Sequence, residues 1–557
     1  MREVYFKYKK YLIGGLICSI LFATLQVGWA FAFQIVVDSV VNLDLNASIQ
    51  ALGILTAMSV FVALFSYGKN FFLFKYLQRT LAFLNNILFR NFISKDYVTF
   101  FEKSEGDYLN TVVKLSSELR EQYIIPLFRI VGSLVTSLLA FIAVVYYHYI
   151  MAIVVLVLFG LQLLIPILKK KLIAKSTSDY TDESGVFSGK TQNLLGGFEL
   201  ILSKNIRDKA EMIFDNSSEM YQKKFFRMRN IRHISEALVY LAQFLIILVP
   251  WFVGAVLVVN GELTFGMLMA VSQLNNSVSG PFSQVIASYN EYLGGREIAR
   301  KIEADVLSEN RLGQAPFPLK DKFSSLTTIN LCFSYGNKPV LKDINLTFES
   351  HKKYVIIGES GCGKSTLAKI LGGLLTSYDG SITINDLPVN AEAQSIFNIS
   401  NYSPQETYLL NDTLKNNIAL YSDVTDSEIK NALKKVELQD FSYALPDGVN
   451  TLLGSGGNLV SGGQKQRIGI ARALIGDAQI IIFDEPTASL DSKLHSKVEE
   501  LILSFKDVTL ISINHRLSED ALKRYDTIIF MQGGKVAGMG NYDDLIIENE
   551  DFALFVK

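Results

Sequence analysis

Cysteine is scarce in this sequence. Only Cys18, Cys332 and Cys362 occur in 557 residues, they lie far apart, and no CxxC pair is present. Structural disulfides need an even-numbered framework and zinc sites need closely spaced ligands, so the sequence favours neither. Net charge is also slight, at −1. Bulk electrostatics therefore gives no reason to expect nucleic acid as a partner.

Charge is missing from long stretches of the first half. Mean hydropathy is +0.26 and 19% of residues are charged, while the second half reads as an ordinary α/β domain. Several uncharged runs approach or exceed the roughly 20 residues that cross a bilayer. The fourth run is close to that minimum and the sixth is polar. We predict six spans, at about 12–41, 51–74, 123–146, 151–168, 237–259 and 264–289, in a transmembrane domain over 1–305.

Lysine and arginine are absent from three of the connections between these spans, Asp38–Gln50, Tyr147–Ile150 and Asn260–Leu263. Basic residues cluster on the other side, so the positive-inside rule predicts a multi-pass protein of the cytoplasmic (inner) membrane with both termini in the cytoplasm. The long segments after spans two and four are helix-compatible. We expect helices that continue into the cytoplasm, reverse near Gly106-Asp107 and Gly196-Gly197, and touch a cytoplasmic domain there.

Polar side chains in the spans have two interpretations. The sixth span carries Ser272, Gln273, Asn275, Asn276, Ser277, Ser279, Ser283 and Gln284, and other spans carry Gln26, Gln34, Gln162 and Gln243. Such groups either bind neighbouring helices or line a substrate path, and both readings stay open. Arg129, near the start of span three, is expected to reach the inner interface rather than a substrate.

A phosphate-binding loop stands in the second half. Residues 306–324 are polar and contain Pro316 and Pro318, which predicts a linker before an α/β domain over 325–557. There a GxxxxGK[ST] motif follows an apolar run, Tyr354–Ile357, and precedes a helical one. Its glycines let backbone N–H groups converge on an anion, with Lys364 at the β- and γ-phosphates and Ser365 at Mg²⁺. The predicted contacts are Gly358, Glu359, Ser360, Gly361, Cys362, Gly363, Lys364, Ser365 and Thr366.

Further residues complete a site for phosphoryl transfer to water. Asp484 and Glu485 end the apolar run 480–483, and the carboxyl ends of such strands are where ligands bind. Asp484 is expected to bind Mg²⁺ and Glu485 to polarise the attacking water, while Lys364 stabilises the transferring charge. Gln405 and His515 are candidate catalytic residues, the latter as a sensor of the γ-phosphate.

The order of these motifs resembles an ABC transporter nucleotide-binding domain, and six preceding spans resemble the half-transporter exporter type. The resemblance implies a multidomain membrane protein: an all-α six-helix transmembrane domain followed by an α/β P-loop NTPase domain. It also implies that Tyr335 stacks on adenine, that Gln405 contacts Mg²⁺, and that His515 is the switch histidine. By the same resemblance, Asp491 in Ser489-Leu490-Asp491 belongs to the nucleotide site. The signature residues Ser461, Gly462, Gly463 and Gln464 would cap ATP held by a second subunit.

The resulting expectation is an ATPase that uses ATP and Mg²⁺ to move a substrate out across the membrane. Every catalytic position holds the expected residue type, which favours a homodimer and leaves a heterodimer open. The cargo is expected to be a peptide or amphipathic compound, with a drug or lipid exporter, a flippase and an exporter-shaped importer as alternatives. A soluble ABC ATPase and an ATP-gated channel are competing classes. No peptidase module precedes the first span, so we expect no leader cleavage.

Overall fold

The computed structural model describes residues 2–307, 322–389, 396, 399–454, 457, 459–476, 478–487, 492–514 and 518–556. Within the chain, contacts define two compact units. The membrane unit comprises Met1–Phe89 and Leu109–Leu307, and the ATP unit comprises Arg90–Tyr108 and Ser308–Lys557. The segment Arg90–Tyr108, which the sequence places in the transmembrane domain, thus groups with the second unit. Residues 308–321 of the predicted linker lie outside the described residues.

The first 307 residues are helical. The helices are α1 Arg2–Phe6, α2 Lys9–Val41, α3 Leu45–Ile93, α4 Tyr97–Phe101, α5 Glu105–Leu109, α6 Ser116–Leu119, α7 Ile125–Tyr147, α8 Tyr149–Gly196, α9 Phe198–Ser203, α10 Arg207–Val259 and α11 Phe265–Leu307. Two π-helical turns, Asn110–Leu115 and Arg120–Ile124, join α5, α6 and α7. Polar side chains cap several ends, because the first N–H groups of a helix lack partners. Asp44 accepts from Ala47 N at 3.0 Å beside the start of α3.

The membrane unit buries several small residues and exposes many large apolar ones. Ala30, Ala140 and Ala143 belong to its buried core, whereas Leu52 and Phe61 are more than half exposed. Helices associate closely in lipid through small residues and leave large ones to the acyl chains. Four helices of the described chain are long and apolar enough to cross a membrane, Lys9–Val41, Leu45–Ile93, Glu105–Tyr147 and Tyr240–Val259. The predicted spans four and six lie within α8 and α11, and a count of six remains a prediction.

The ATP unit contains two sheets. Its strands are β1 Ser325–Tyr335, β2 Lys338–Glu349, β3 Lys353–Gly358, β4 Asp379–Ile384, β5 Leu387–Pro388, β6 Ser400–Ser403, β7 Ile480–Asp484, β8 Thr509–Ile513, β9 Thr527–Gln532 and β10 Lys535–Gly540. One sheet has the order β10-β9-β3-β8-β7-β6 and the other β2-β1-β4-β5. Strands β9, β3, β8, β7 and β6 run parallel. Their carboxyl ends therefore meet at one edge, where the site lies.

Helices cover the six-stranded sheet, whose parallel strands are nearly continuous runs of apolar residues. They are α12 Lys364–Leu371, α13 Leu414–Ala419, α14 Asp426–Lys435, α15 Gln439–Ala444, α16 Gly462–Ala473, α17 Ser492–Leu503, α18 Glu519–Leu522, α19 Tyr542–Glu548 and α20 Glu550–Val556. Alternate residues of one strand enter different cores. Ile481 and Phe483 belong to one apolar cluster, and Ile480 and Ile482 to another.

The short helix α4 is part of the ATP unit. Asp96 caps it, accepting from Thr99 N at 3.0 Å, and Tyr97 packs against the cluster that contains Ile480 and Ile482. The Lys369 Nζ lies 5.4 Å from the centroid of the Tyr97 ring. The chain leaves helix before and after α4, so the predicted tip at Gly106-Asp107 lies a turn later, inside α5. The other predicted reversal agrees with the structure, since α8 ends at Gly196.

Candidate active site

The loop after β3 is shaped by glycine. Gly358 and Gly363 have φ of 150° and 105°, in the region that favours glycine. A Cβ on Gly358 would overlap the carbonyl oxygen of Met531, and one on Gly363 would lie 2.7 Å from Leu341 Cδ2. The backbone therefore turns tightly between β3 and α12, and its N–H groups face the space before the helix N-terminus. This is the geometry that binds phosphate.

Lys364 is buried beneath this loop. Its Nζ donates to Gly358 O and Glu359 O, both at 2.9 Å. An ammonium held on main-chain carbonyls is positioned without the flexibility usual for lysine, so it presents a fixed positive charge to an incoming phosphate. The buried thiol of Cys362 lies 3.9 Å from the same Nζ, and burial raises the pKa of this thiol.

A serine, an aspartate and a tyrosine meet at the ends of the strands. Ser365 Oγ donates to Asp484 Oδ1 at 3.1 Å, and Tyr402 OH donates to Asp484 Oδ2 at 3.1 Å. Burial, followed by the neighbouring Asp484 charge, raises the pKa of Tyr402. The tyrosine therefore stays a donor and holds the carboxylate in place. Sequence reasoning missed Tyr402, whose only signal is its place in the parallel strand next to β7.

Glu485 follows with a strained backbone. Its φ is 51°, which is unusual for a residue with a Cβ and is typically tolerated at functional positions. Its main-chain N–H donates to Ile513 O at 3.0 Å, and its carboxylate accepts from Gln405 Nε2 at 2.8 Å. The structure thus places Lys364, Ser365, Asp484, Glu485 and Gln405 near one another. Gln405 bonds Glu485 here, and its contact with Mg²⁺ and the roles of the other residues stay predictions.

The donor set suits Mg²⁺. A serine hydroxyl beside a carboxylate supplies the oxygen ligands that this hard cation prefers, with nucleotide phosphates and waters providing the remainder. Among the described residues no group of three or more His, Cys, Asp or Glu could hold a metal alone. The ion would accordingly be bound together with the nucleotide.

Two predicted contacts lie on other elements. Tyr335 ends β1, is 44% exposed and meets Phe333 edge-on at 4.9 Å between centroids, so one ring face is available for stacking. Ser461 begins α16 in a reciprocal cap: Ser461 N donates to Gln464 Oε1 at 2.8 Å, and Gln464 N donates to Ser461 Oγ at 3.3 Å. Gly462 is exposed there. His515 and Asp491 lie outside the described residues.

A phosphate cradle at this edge of a parallel sheet, with a serine and two acids beside it, places the ATP unit among the P-loop nucleotide-hydrolysing domains. Family models support both halves. The model described as ABC transporter transmembrane region matches residues 12–282, and the model described as ABC transporter matches residues 341–488. The chain belongs to the ABC transporters, with the transmembrane and ATP-binding regions in one polypeptide.

Several proteins are similar over much of the chain. The exotoxin translocation ATP-binding protein of Pasteurella aerogenes is 28% identical over 98% of this chain and 77% of its own length. The lactococcin-G-processing and transport ATP-binding protein of Lactococcus lactis is 31% identical over 63% of this chain, which spans half of that relative. The ATP-dependent lipid A-core flippase of Desulfotalea psychrophila is 33% identical over 53% of this chain and 52% of its own.

The fold matches a solved structure. A bacterial Atm1-family ABC exporter with ATP bound superposes with a TM-score of 0.82 at 20% identity, over 98% of this chain and 97% of the other. The exporter-type fold, a helical membrane domain followed by a nucleotide-binding domain, is therefore shared.

Proposed function

We propose that this chain is a half-transporter that exports its cargo by ATP hydrolysis as a dimer, most simply a homodimer. The observation that carries this proposal is the Ser365–Asp484 hydrogen bond beside Glu485, in a polypeptide that also contains helices fit to cross a membrane. ATP hydrolysis at the nucleotide loop would then drive movement of the cargo through the membrane helices of the same polypeptide. The positive-inside pattern supports the cytoplasmic membrane and cytoplasmic termini.

Each residue has a role in hydrolysis. The loop N–H groups and Lys364 bind the β- and γ-phosphates and stabilise charge that develops during transfer. Ser365 and Asp484 would hold Mg²⁺, which would neutralise phosphate charge, and Tyr402 orients Asp484. Glu485 accepts a hydrogen bond from the attacking water, and Gln405 keeps the carboxylate of Glu485 aimed. Tyr335 stacks on the base.

The N-terminus of α16 supports the dimer. Ser461 and Gly462 are exposed, so the positive end of this helix is open to an anion from outside. A second copy would bring its loop-bound ATP to this end, and each chain would contribute half of two sites. Nucleotide then stabilises the closed pair, which is the differential affinity that a conformational cycle requires.

The tip around α9 fits the same scheme. Leu195, Phe198 and Leu200 are 72%, 59% and 59% exposed, which is costly for apolar side chains beyond the membrane. We infer that this tip packs on an ATP unit, which would remove these apolar side chains from water. Closure of the two ATP units would in this way move the membrane helices of both chains.

The test of the function is Glu485→Gln in proteoliposomes. Glutamine keeps the size and the Gln405 neighbour but accepts no proton, so hydrolysis should fall about 10²- to 10³-fold with ATP binding retained. Glu500→Gln changes an exposed glutamate in the same unit and serves as the matched control. Undiminished ATP hydrolysis by Glu485→Gln would refute the proposal. So would ATP hydrolysis by the wild type without any vanadate-sensitive uphill transport.

A further inference from the structure

A cavity of about 640 Å³ lies within the membrane unit. Its walls come from α2, α3, the helix Glu105–Tyr147 and α11. Gln26 and Gln284 supply polar groups, while Phe22 and Phe128 supply aromatic surface. The volume is within the range of small-molecule sites, and the wall combines apolar surface with many polar and charged side chains.

Two cations face this cavity, Lys69 and Arg129. Lys69 lies on α3 between Ser66 and Asn70, which also line the cavity, and its Nζ lies 4.1 Å from the Phe22 ring centroid. Within the described chain no carboxylate is at ion-pair distance from Lys69. Arg129 Nη1 has only a long contact to Glu291 Oε2, at 3.5 Å.

The nearby acid does not cancel this charge. Glu121 also lines the cavity, but its Oε1 is 2.9 Å from Arg120 Nε. The wall therefore carries positive charge in excess. Cations in membrane helices are costly and typically mark a functional site, and an anchor at the lipid interface would need no cavity with aromatic walls.

We propose that this cavity binds an amphipathic anion. A carboxylate or phosphate group lies between Lys69 and Arg129 with Gln26 and Gln284 as further donors, and an apolar body lies along Phe22 and Phe128. The proposal rests on the proposed function, for which it names the cargo class. Either a lipid headgroup or a free amphiphilic acid offers this chemistry.

The test compares three probes with one chain and different heads: laurate, dodecanol and dodecylamine. Binding to the full chain is measured by equilibrium dialysis of radiolabelled probe against phosphatidylcholine nanodiscs, with empty nanodiscs subtracted. Laurate should bind about tenfold more tightly than dodecanol, since a charge-assisted hydrogen bond supplies such a factor. Dodecylamine should bind more weakly than either.

Variants locate the site. Lys69→Gln and Arg129→Gln should each weaken laurate binding about tenfold and leave dodecanol binding unchanged. Lys69→Arg should restore laurate binding. Lys75→Gln, which removes a cation from the same helix outside the cavity, is the matched control. Equal binding of laurate and dodecanol, or laurate binding that neither variant weakens, overturns the proposal.

A second arm separates the two sources of the anion. Nanodiscs that contain phosphatidylglycerol should displace laurate from the wild type if the occupant is a bilayer lipid, and should leave laurate binding unaltered if it is a free acid. The same displacement is measured with the Lys69→Gln variant, and only the difference between wild type and variant is assigned to the cavity. Normal laurate binding without any ATP hydrolysis would refute the proposed function alone, whereas hydrolysis without preference for the anionic head would refute the cavity assignment alone.

Discussion

The ATP unit and the membrane unit hold their sites in opposite ways. The nucleotide loop is contiguous and is positioned by main-chain contacts, such as those of Lys364 Nζ to two carbonyls. The cavity is assembled by side chains from distant parts of the chain, among them Gln26, Lys69, Arg129 and Gln284. A backbone site tolerates little change and a side-chain site tolerates much.

The sharpest test of this contrast is Lys364→Ala. Loss of the ammonium should reduce hydrolysis about 10³-fold, because charge on the transferring phosphate loses its main stabilising cation. Laurate binding should stay unchanged. Mg²⁺-dependent phosphate release measures hydrolysis, and equilibrium dialysis of the same preparation measures laurate binding. Lys353→Ala is not a suitable control, because Lys353 Nζ donates to Leu503 O and its loss would disturb the fold. A parallel loss of laurate binding would mean that the two sites are not independent.

A pair of glycine substitutions comes next. Gly358→Ala drives a Cβ against the Met531 carbonyl, which is main chain and cannot yield, so we expect roughly 3 kcal/mol of lost stability. Gly254→Ala in the membrane unit meets Leu268 Cδ1, the movable end of a side chain. It should cost about 1 kcal/mol or less. Thermal inactivation of ATP hydrolysis measures the stability of Gly358→Ala, and heat-induced aggregation measures that of Gly254→Ala. Equal losses of stability would contradict the proposed difference between the two units.

A smaller effect is expected for Tyr402→Phe. The phenyl ring preserves packing but removes the hydrogen bond to Asp484, so the Mg²⁺ concentration for half-maximal hydrolysis should rise about tenfold. The maximal rate at saturating Mg²⁺ should change little. Tyr443→Phe, at an exposed tyrosine of the same unit, is the control. An unchanged Mg²⁺ dependence would remove Tyr402 from the site.

The smallest effect concerns Glu499 in α17. Burial raises the pKa of its carboxyl, partly opposed by Arg524, and its Oε1 has no hydrogen-bond partner among the described residues. A raised pKa in the folded state means that stability is lost as pH rises from the unfolded value through the folded one. Glu499→Gln should therefore stabilise α17 by about 1 kcal/mol at pH 8 and not at pH 4. Hydrogen exchange over Ser492–Leu503 at both values would reveal it, and a gain independent of pH would contradict the assignment.

The contrast also sets what the sequence can predict. Gly358–Thr366, Asp484 and Glu485 are recognisable because their chemistry demands fixed residue types at fixed spacing. Tyr402 has no such spacing and is found only when β6 is seen beside β7. Arg129 reads from sequence as an interfacial anchor; its contact with Glu291 and its place on the cavity depend on residues 162 positions apart.

The cytoplasmic tips show a finer limit. The Gly106-Asp107 pair suggests a turn, yet Ser104 donates to Asp107 Oδ2 at 2.7 Å and the pair begins a helix. The reversal is instead marked by Asp96, whose cap on α4 is a weak signal in the sequence. Of the polar residues in α11, Asn275 bonds Ile246 O at 2.6 Å between helices, whereas Gln284 lines the cavity. Asn275 thus follows the helix-packing interpretation, while the substrate-lining interpretation stays a prediction for Gln284.

The segment Arg90–Tyr108 limits how the ATP unit can be exchanged between transporters by recombination. Tyr97 packs against an apolar cluster of the ATP unit, and the chain passes between the membrane unit and the ATP unit three times, at 89/90, 108/109 and 307/308. Recombination at a single point in the linker would transfer Ser308–Lys557 without Arg90–Tyr108, the other segment of the ATP unit. Exchanging the whole ATP unit between transporters therefore requires three matched joints, and we expect Arg90–Tyr108 and the rest of the ATP unit to be inherited together.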